Sequence, residues 1–163
     1  MVEIVLLVVF IISLVVLKIL RKEYQFALAG KIAMSAMLVV AFIGRFKFPH
    51  GLAMMLPDVI PYRLEMVYLT GFLELFAAVG LLIPRFQALT ARLLILFFIL
   101  ILPANIYGAI HHVNIETASF DGPGPVYLWF RIPLQLFFIA WVYLFALKKY
   151  STIAINKKPA LLK

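Results

Sequence analysis

One carboxylate, Glu74, stands near the middle of an apolar run, 67–83, that is otherwise long enough to cross a bilayer. A charged carboxyl group at that depth costs about 3 kcal/mol or more unless it is paired, protonated or facing water. Further along the chain, Asn105 interrupts a fourth apolar run, and Tyr127, Arg131 and Gln135 interrupt a fifth. Tyr107 and His111 follow Asn105 toward the end of the fourth run. Arginine stays charged and binds carboxylates through two parallel hydrogen bonds, which makes Arg131 the expected partner of Glu74. The economical expectation is one interior site. Glu74 and Arg131 would form its charged pair, Asn105 and Gln135 would orient the polar head of a ligand, and Tyr107, Tyr127 and His111 would complete it. The same groups could instead lock helices together, and both readings stand at this point.

Metal chemistry has little support. His111 and His112 are adjacent, and neighbours on a helix diverge by roughly 100°, so they cannot easily share an ion. With no cysteine, the chain offers no disulfide, no thiolate ligand and no thiol relay. Any redox role requires a bound small molecule or a partner protein. No cofactor is specified by the residues, although a quinone or a lipid would suit them.

The elements that position these groups are apolar spans. The 163-residue chain has a mean hydropathy of +1.10, is 66% hydrophobic and only 13% charged. Soluble domains are nearer half apolar and a quarter charged, so this is an integral membrane protein. Five runs have roughly the 20 residues a bilayer needs: 2–20, 27–43, 62–83, 88–109 and 126–147. The first lacks the basic leading region of a secretory signal and is expected to be retained as a helix. Helical rise places Glu74 roughly 16–18 Å from the start of the third span, near the midplane, with Thr70, Gly71, Ala77 and Ala78 on its face. Tyr127, Arg131 and Gln135 fall at successive i, i+4 positions and form one stripe, interrupted by Pro133.

Charge orients the spans. Eleven of the fifteen Lys and Arg residues (Lys18, Arg21, Lys22, Lys31, Arg85, Arg92, Lys148, Lys149, Lys157, Lys158 and Lys163) fall on one side if the helices alternate. The others are Arg45, Lys47, Arg63 and Arg131. The positive-inside rule then puts the amino terminus outside and the carboxyl terminus in the cytoplasm. The net charge of +8 is assigned to loops and anionic headgroups rather than to nucleic acid. The connection from Arg45 to Pro61 holds three prolines and one glycine after Lys47. It is apolar but too short to span, so it either dips into the bundle or rests in the headgroups.

At these residues the chain resembles the DoxX and DoxX-like family of small bacterial inner-membrane proteins. The likeness rests on Gly71-Phe-Leu-Glu-Leu with Gly80-Leu-Leu-Ile-Pro, then Pro103-Ala-Asn-Ile-Tyr with Ala109 and His111, then Tyr127 with Phe130-Arg-Ile-Pro-Leu-Gln. It covers residues 28–147 and implies a four-helix membrane domain, to which this chain adds its first helix. Association of family members with thiosulfate:quinone oxidoreduction or redox-stress complexes implies contact with quinones or with a membrane redox partner. The layout is also similar in architecture to the EXPERA-type sterol-binding bundles.

The expected fold is therefore all-α: a polytopic membrane four-helix bundle with one additional N-terminal transmembrane helix. Its parts are 1–26, the extra helix and a basic cytoplasmic loop; 27–150, the DoxX-like domain; and 151–163, a basic cytoplasmic tail. The leading functional expectation is a multi-pass protein of the bacterial inner membrane that binds an apolar small molecule, such as a quinone, a sterol-like lipid or an isoprenoid. The alternatives are a non-catalytic subunit or chaperone that docks a redox enzyme or another membrane protein, and a membrane enzyme using Glu74 as acid or base.

Overall fold

The computed structural model describes residues 2–21 and 25–148. Lys22 and the tail, with Lys149, Lys157, Lys158 and Lys163, lie outside the described residues, as does the expected tail unit 151–163. Among the described residues, 80% are helical and none forms a strand. A lone antiparallel bridge joins Asn114 to Ser119.

Five helices are long and apolar enough to cross a membrane. They are α1 (Val2–Arg21), α2 (Phe26–Lys47), α4 (Arg63–Leu82), α5 (Gln87–Ile110) and α6 (Val126–Val142), which continues as a π-helical segment, Tyr143–Lys148. A short helix, α3 (Pro49–Met54), lies between α2 and α4. At about 1.5 Å per residue the 20 residues of α1 or α4 span about 30 Å, the thickness of a hydrocarbon core.

Proline sets several boundaries. Pro84 forces the preceding Ile83 into an extended conformation (ψ 114°), which stops α4. Pro49 occupies the first turn of α3, where its missing N–H is no loss. Tyr62, wedged between Pro61 and α4, adopts a left-handed conformation (φ 54°).

The helix α2 packs against α1, α4 and the π-helical end of α6; α4 packs on α5, and α5 on α6. The apolar core fills the half of the molecule away from α3. Met34 and Leu38 of α2, Leu81 of α4, Leu94 of α5, Val142 of α6 and Leu6 of α1 meet there. Side chains tie the helices through backbone carbonyls: Ser35 Oγ donates to Ala78 O at 2.8 Å, and Trp141 Nε1 donates to Gly30 O at 3.0 Å. Buried Gln87 donates to Ala146 O at 2.8 Å and accepts from Lys31 Nζ at 2.9 Å, joining α5, α6 and α2. Such ties contribute about 0.6 kcal/mol each in membrane helices.

The 111–125 connection folds on itself. Asn114 N donates to Ser119 O at 2.8 Å, and the Ser119 hydroxyl donates to the Asp121 carboxylate. That bond, with smaller contributions from Asn114 and Thr117, holds the exposed Asp121 carboxyl below its ordinary range. The turn also touches α3: Gly51 lies so close to the Ile115 carbonyl that an added Cβ would sit 2.0 Å from its oxygen.

Candidate functional site: a cavity at the α3 end of the helices

Arg45, not Arg131, is the partner of Glu74. Its Nε donates to one carboxylate oxygen and its Nη2 to the other, each at 2.7 Å. Both side chains are buried, at 10% and 5% exposure. The expected second span ends too early: α2 continues through Lys47, which makes Arg45 a helical residue rather than a loop charge. Side chains on a helix lean toward its amino terminus, and that directs Arg45 back between the helices. Gly71, one turn before Glu74 on the buried face of α4, clears its path; a Cβ there would lie 3.1 Å from Arg45 Cδ. The Phe97 ring of α5 stands 6.0 Å from the guanidinium carbon.

The two residues of this ion pair line different hollows, Glu74 one and Arg45 the other. On one side, an apolar groove of about 340 Å³ runs between α4 and α5; Leu73, Phe76, Leu93, Phe97 and Leu100 line it, with Glu74 in its wall. On the other side, a cavity of about 260 Å³ lies among α2, α3, α4, α5 and α6. Apolar side chains such as Phe48, Leu52, Leu56, Val67 and Ile101 form most of its lining. Its polar lining comes from Arg45, Asn105, Tyr127 and Arg131. The proline-rich 48–61 connection thus forms part of the cavity wall through Phe48, Leu52, Met55 and Leu56, with α3 packed on α4.

Two donors in that lining have nothing to bind. Asn105 is 4% exposed, and its Nδ2 is buried without an acceptor. Arg131 Nε is buried in the same condition. More than nine in ten buried polar groups in folded proteins find a partner, so two orphaned donors lining one cavity stand out. Leaving either unsatisfied costs about 1–3 kcal/mol, more for the charged one. The Glu3 carboxylate of α1 lies within Coulomb range of Arg131, and among the described residues no ion pair to Arg131 is formed.

The structure therefore brings Asn105, Tyr127 and Arg131 to one cavity and adds Arg45. Glu74 lines the other hollow. Gln135 is buried one turn beyond Arg131, and its Nε2 donates to Phe98 O, tying α6 to α5 outside the cavity lining. Tyr107 and His111 sit together away from the cavity lining, with ring centroids 4.0 Å apart and His111 Nδ1 2.9 Å from Tyr107 O. His111 is exposed. Among the described residues no group of three or more His, Cys, Asp or Glu could hold a metal ion.

The chain belongs to the family described as a domain of unknown function, DUF8561, whose model matches residues 34–146. The match takes in most of α2 and everything from α3 through Ala146 of the π-helical segment, and it leaves out α1. No curated protein and no solved structure matches the chain.

Proposed function

We propose that this chain is a multi-pass protein of the bacterial inner membrane that binds an amphiphilic small molecule in the cavity bounded by Asn105, Tyr127 and Arg131. In this reading α2, α4, α5 and α6 form the four-helix domain, α1 is an addition to it, and the amino terminus lies outside. The basic residues at the opposite end, Lys31, Arg85, Arg92 and Lys148, favour that orientation.

The observation that carries the reading is the pair of orphaned donors. Both are N–H groups, so the ligand must present oxygen acceptors to them. The remaining wall is apolar, which suits a hydrocarbon body or tail. A cavity of about 260 Å³ lies just below the roughly 300–1,000 Å³ usual for small-molecule sites. That suits a head group with part of its chain. A quinone or isoprenoid head with a flexible tail fits the volume, and the DoxX resemblance, with its quinone association, belongs to the same proposal.

An acid or base role for Glu74 draws less support. Both its oxygens are engaged by Arg45 at 2.7 Å, and a proton transfer would have to break that pair. The pair is better read as part of the lining of the two hollows.

The test is mass spectrometry of molecules extracted from the wild-type protein and from Asn105→Leu, purified side by side in mild detergent. An oxygen-headed amphiphile retained near stoichiometry by the wild type and depleted in the variant is the expected result. Equal retention by both, or nothing above bulk lipid in either, would overturn the reading.

A further inference from the structure

We infer that the cavity selects an anionic head: a single-tailed lipid whose carboxylate or phosphate sits on Arg131 and Asn105. This deepens the proposed function and rests on it. Charge accounting separates an anion from a neutral quinone or alcohol. Two cationic side chains line the cavity, Arg45 and Arg131. The charge of Arg45 is matched by Glu74 through two short bonds. Among the described residues that of Arg131 is matched by no ion pair, and the Glu3 carboxylate acts on it at longer range. One positive charge is thus left over beside a largely apolar wall. A neutral carbonyl would satisfy the orphaned N–H groups yet leave that charge standing. An oxyanion satisfies both, because charge-assisted hydrogen bonds are roughly twice as strong as neutral ones. Asn105 Nδ2, a neutral donor, adds a second bond to the same head without further charge.

The tail has a way out. Val40 of α2 lines the cavity and is also exposed on the apolar outer surface of the helices. A chain passing Val40 would continue among lipid tails, which favours a lipid over a small free anion.

The experiment uses the full chain in phosphatidylcholine nanodiscs, at a pH well above the carboxylate range, with binding read by native mass spectrometry and by the unfolding midpoint. Four probes are compared: hexadecanoate, hexadecanol, a short-tailed quinone and inorganic phosphate. Hexadecanoate is expected to bind on the order of tenfold or more tighter than hexadecanol, the ratio that one charge-assisted hydrogen bond supplies. Arg131→Gln should erase that preference and Arg131→Lys should keep part of it. Leu56→Trp, which fills the cavity without touching a charge, should weaken every tailed probe. If Arg131→Gln fails to fold, Arg131→Lys and Leu56→Trp still decide the matter. Hexadecanol or the quinone binding as tightly as hexadecanoate, in a manner sensitive to Leu56→Trp, would overturn the anion selectivity and leave the proposed function standing. Phosphate binding as well as hexadecanoate would overturn the lipid head in favour of a free anion. No binding of any probe would overturn both.

Discussion

The Arg45 guanidinium holds both oxygens of Glu74 at 2.7 Å, across the face where α2 meets α4. Removing one partner of a buried pair leaves the other charged and desolvated, which typically costs about 3–5 kcal/mol. Glu74→Gln and Arg45→Met are each expected to destabilise the detergent-solubilised protein on that scale. The double substitution should cost clearly less than the sum. Arg131→Met, by contrast, removes a cation with no ion pair among the described residues and should combine with Glu74→Gln additively, within about 0.5 kcal/mol. Unfolding midpoints of the six proteins settle this, and coupling of Glu74 to Arg131 in place of Arg45 would refute the pairing.

Gly71 is the gap through which Arg45 reaches Glu74. An alanine methyl there would stand 3.1 Å from Arg45 Cδ, a tight contact with a flexible side chain. Helix propensity favours alanine over glycine by roughly 0.5–1 kcal/mol, which offsets most of that strain. Gly71→Ala should therefore be close to neutral. Gly71→Val adds bulk without the propensity gain and should cost about 1–3 kcal/mol, as overpacking does. In an Arg45→Met background the cost of Gly71→Val should shrink. An equal cost in both backgrounds would show that Gly71 serves some other contact.

The existence of the five long helices was legible because hydropathy and length fix it almost alone. The cavity was half legible: Asn105, Tyr127 and Arg131 announce themselves as polar residues in apolar runs. Arg45 was missed because Lys47 and Phe48-Pro49 follow it and read as the end of a span. A signal was present nonetheless. Gly30, Met34, Met37, Ala41 and Arg45 recur every three or four residues, which puts Arg45 on the stripe that α2 turns inward. Which arginine meets Glu74 depends on how α2 and α6 are placed relative to α4, and no periodicity within one helix encodes that. Gln87 was missed for a similar reason, since its acceptor belongs to Ala146, 59 residues away.

Orientation can be tested directly in a chain without native cysteines. Glu116 in the 111–125 connection and Arg85 between α4 and α5 are both exposed and lie at opposite ends of α5. With Glu116→Cys, an impermeant maleimide should label intact cells. With Arg85→Cys, labelling should require permeabilisation. Labelling of Arg85→Cys on intact cells, with Glu116→Cys protected, would invert the topology; labelling of both would break the five-span reading.

The family match begins at residue 34 and so does not include α1. Most of α1 is exposed along its length, yet Leu6 has no exposure and joins the central core. Phe10 meets Trp141 edge-on at 4.9 Å and Phe145 at 5.5 Å. Leu6→Ala should cost about 2–5 kcal/mol, the range for a buried leucine. Ile19→Ala, at a position 72% exposed, should fall within about 0.5 kcal/mol. Replacing residues 2–21 with an unrelated apolar span keeps five helices long and apolar enough to cross a membrane, and in the proposed topology it keeps the orientation of everything after it. That chimera should remain folded, because α2, α4, α5 and α6 keep their mutual contacts and the Arg45–Glu74 pair. Its loss should be close to that of Leu6→Ala combined with Phe10→Ala. A chimera that yields no monodisperse protein would show that α1 belongs to the core of the domain and is not an addition to it.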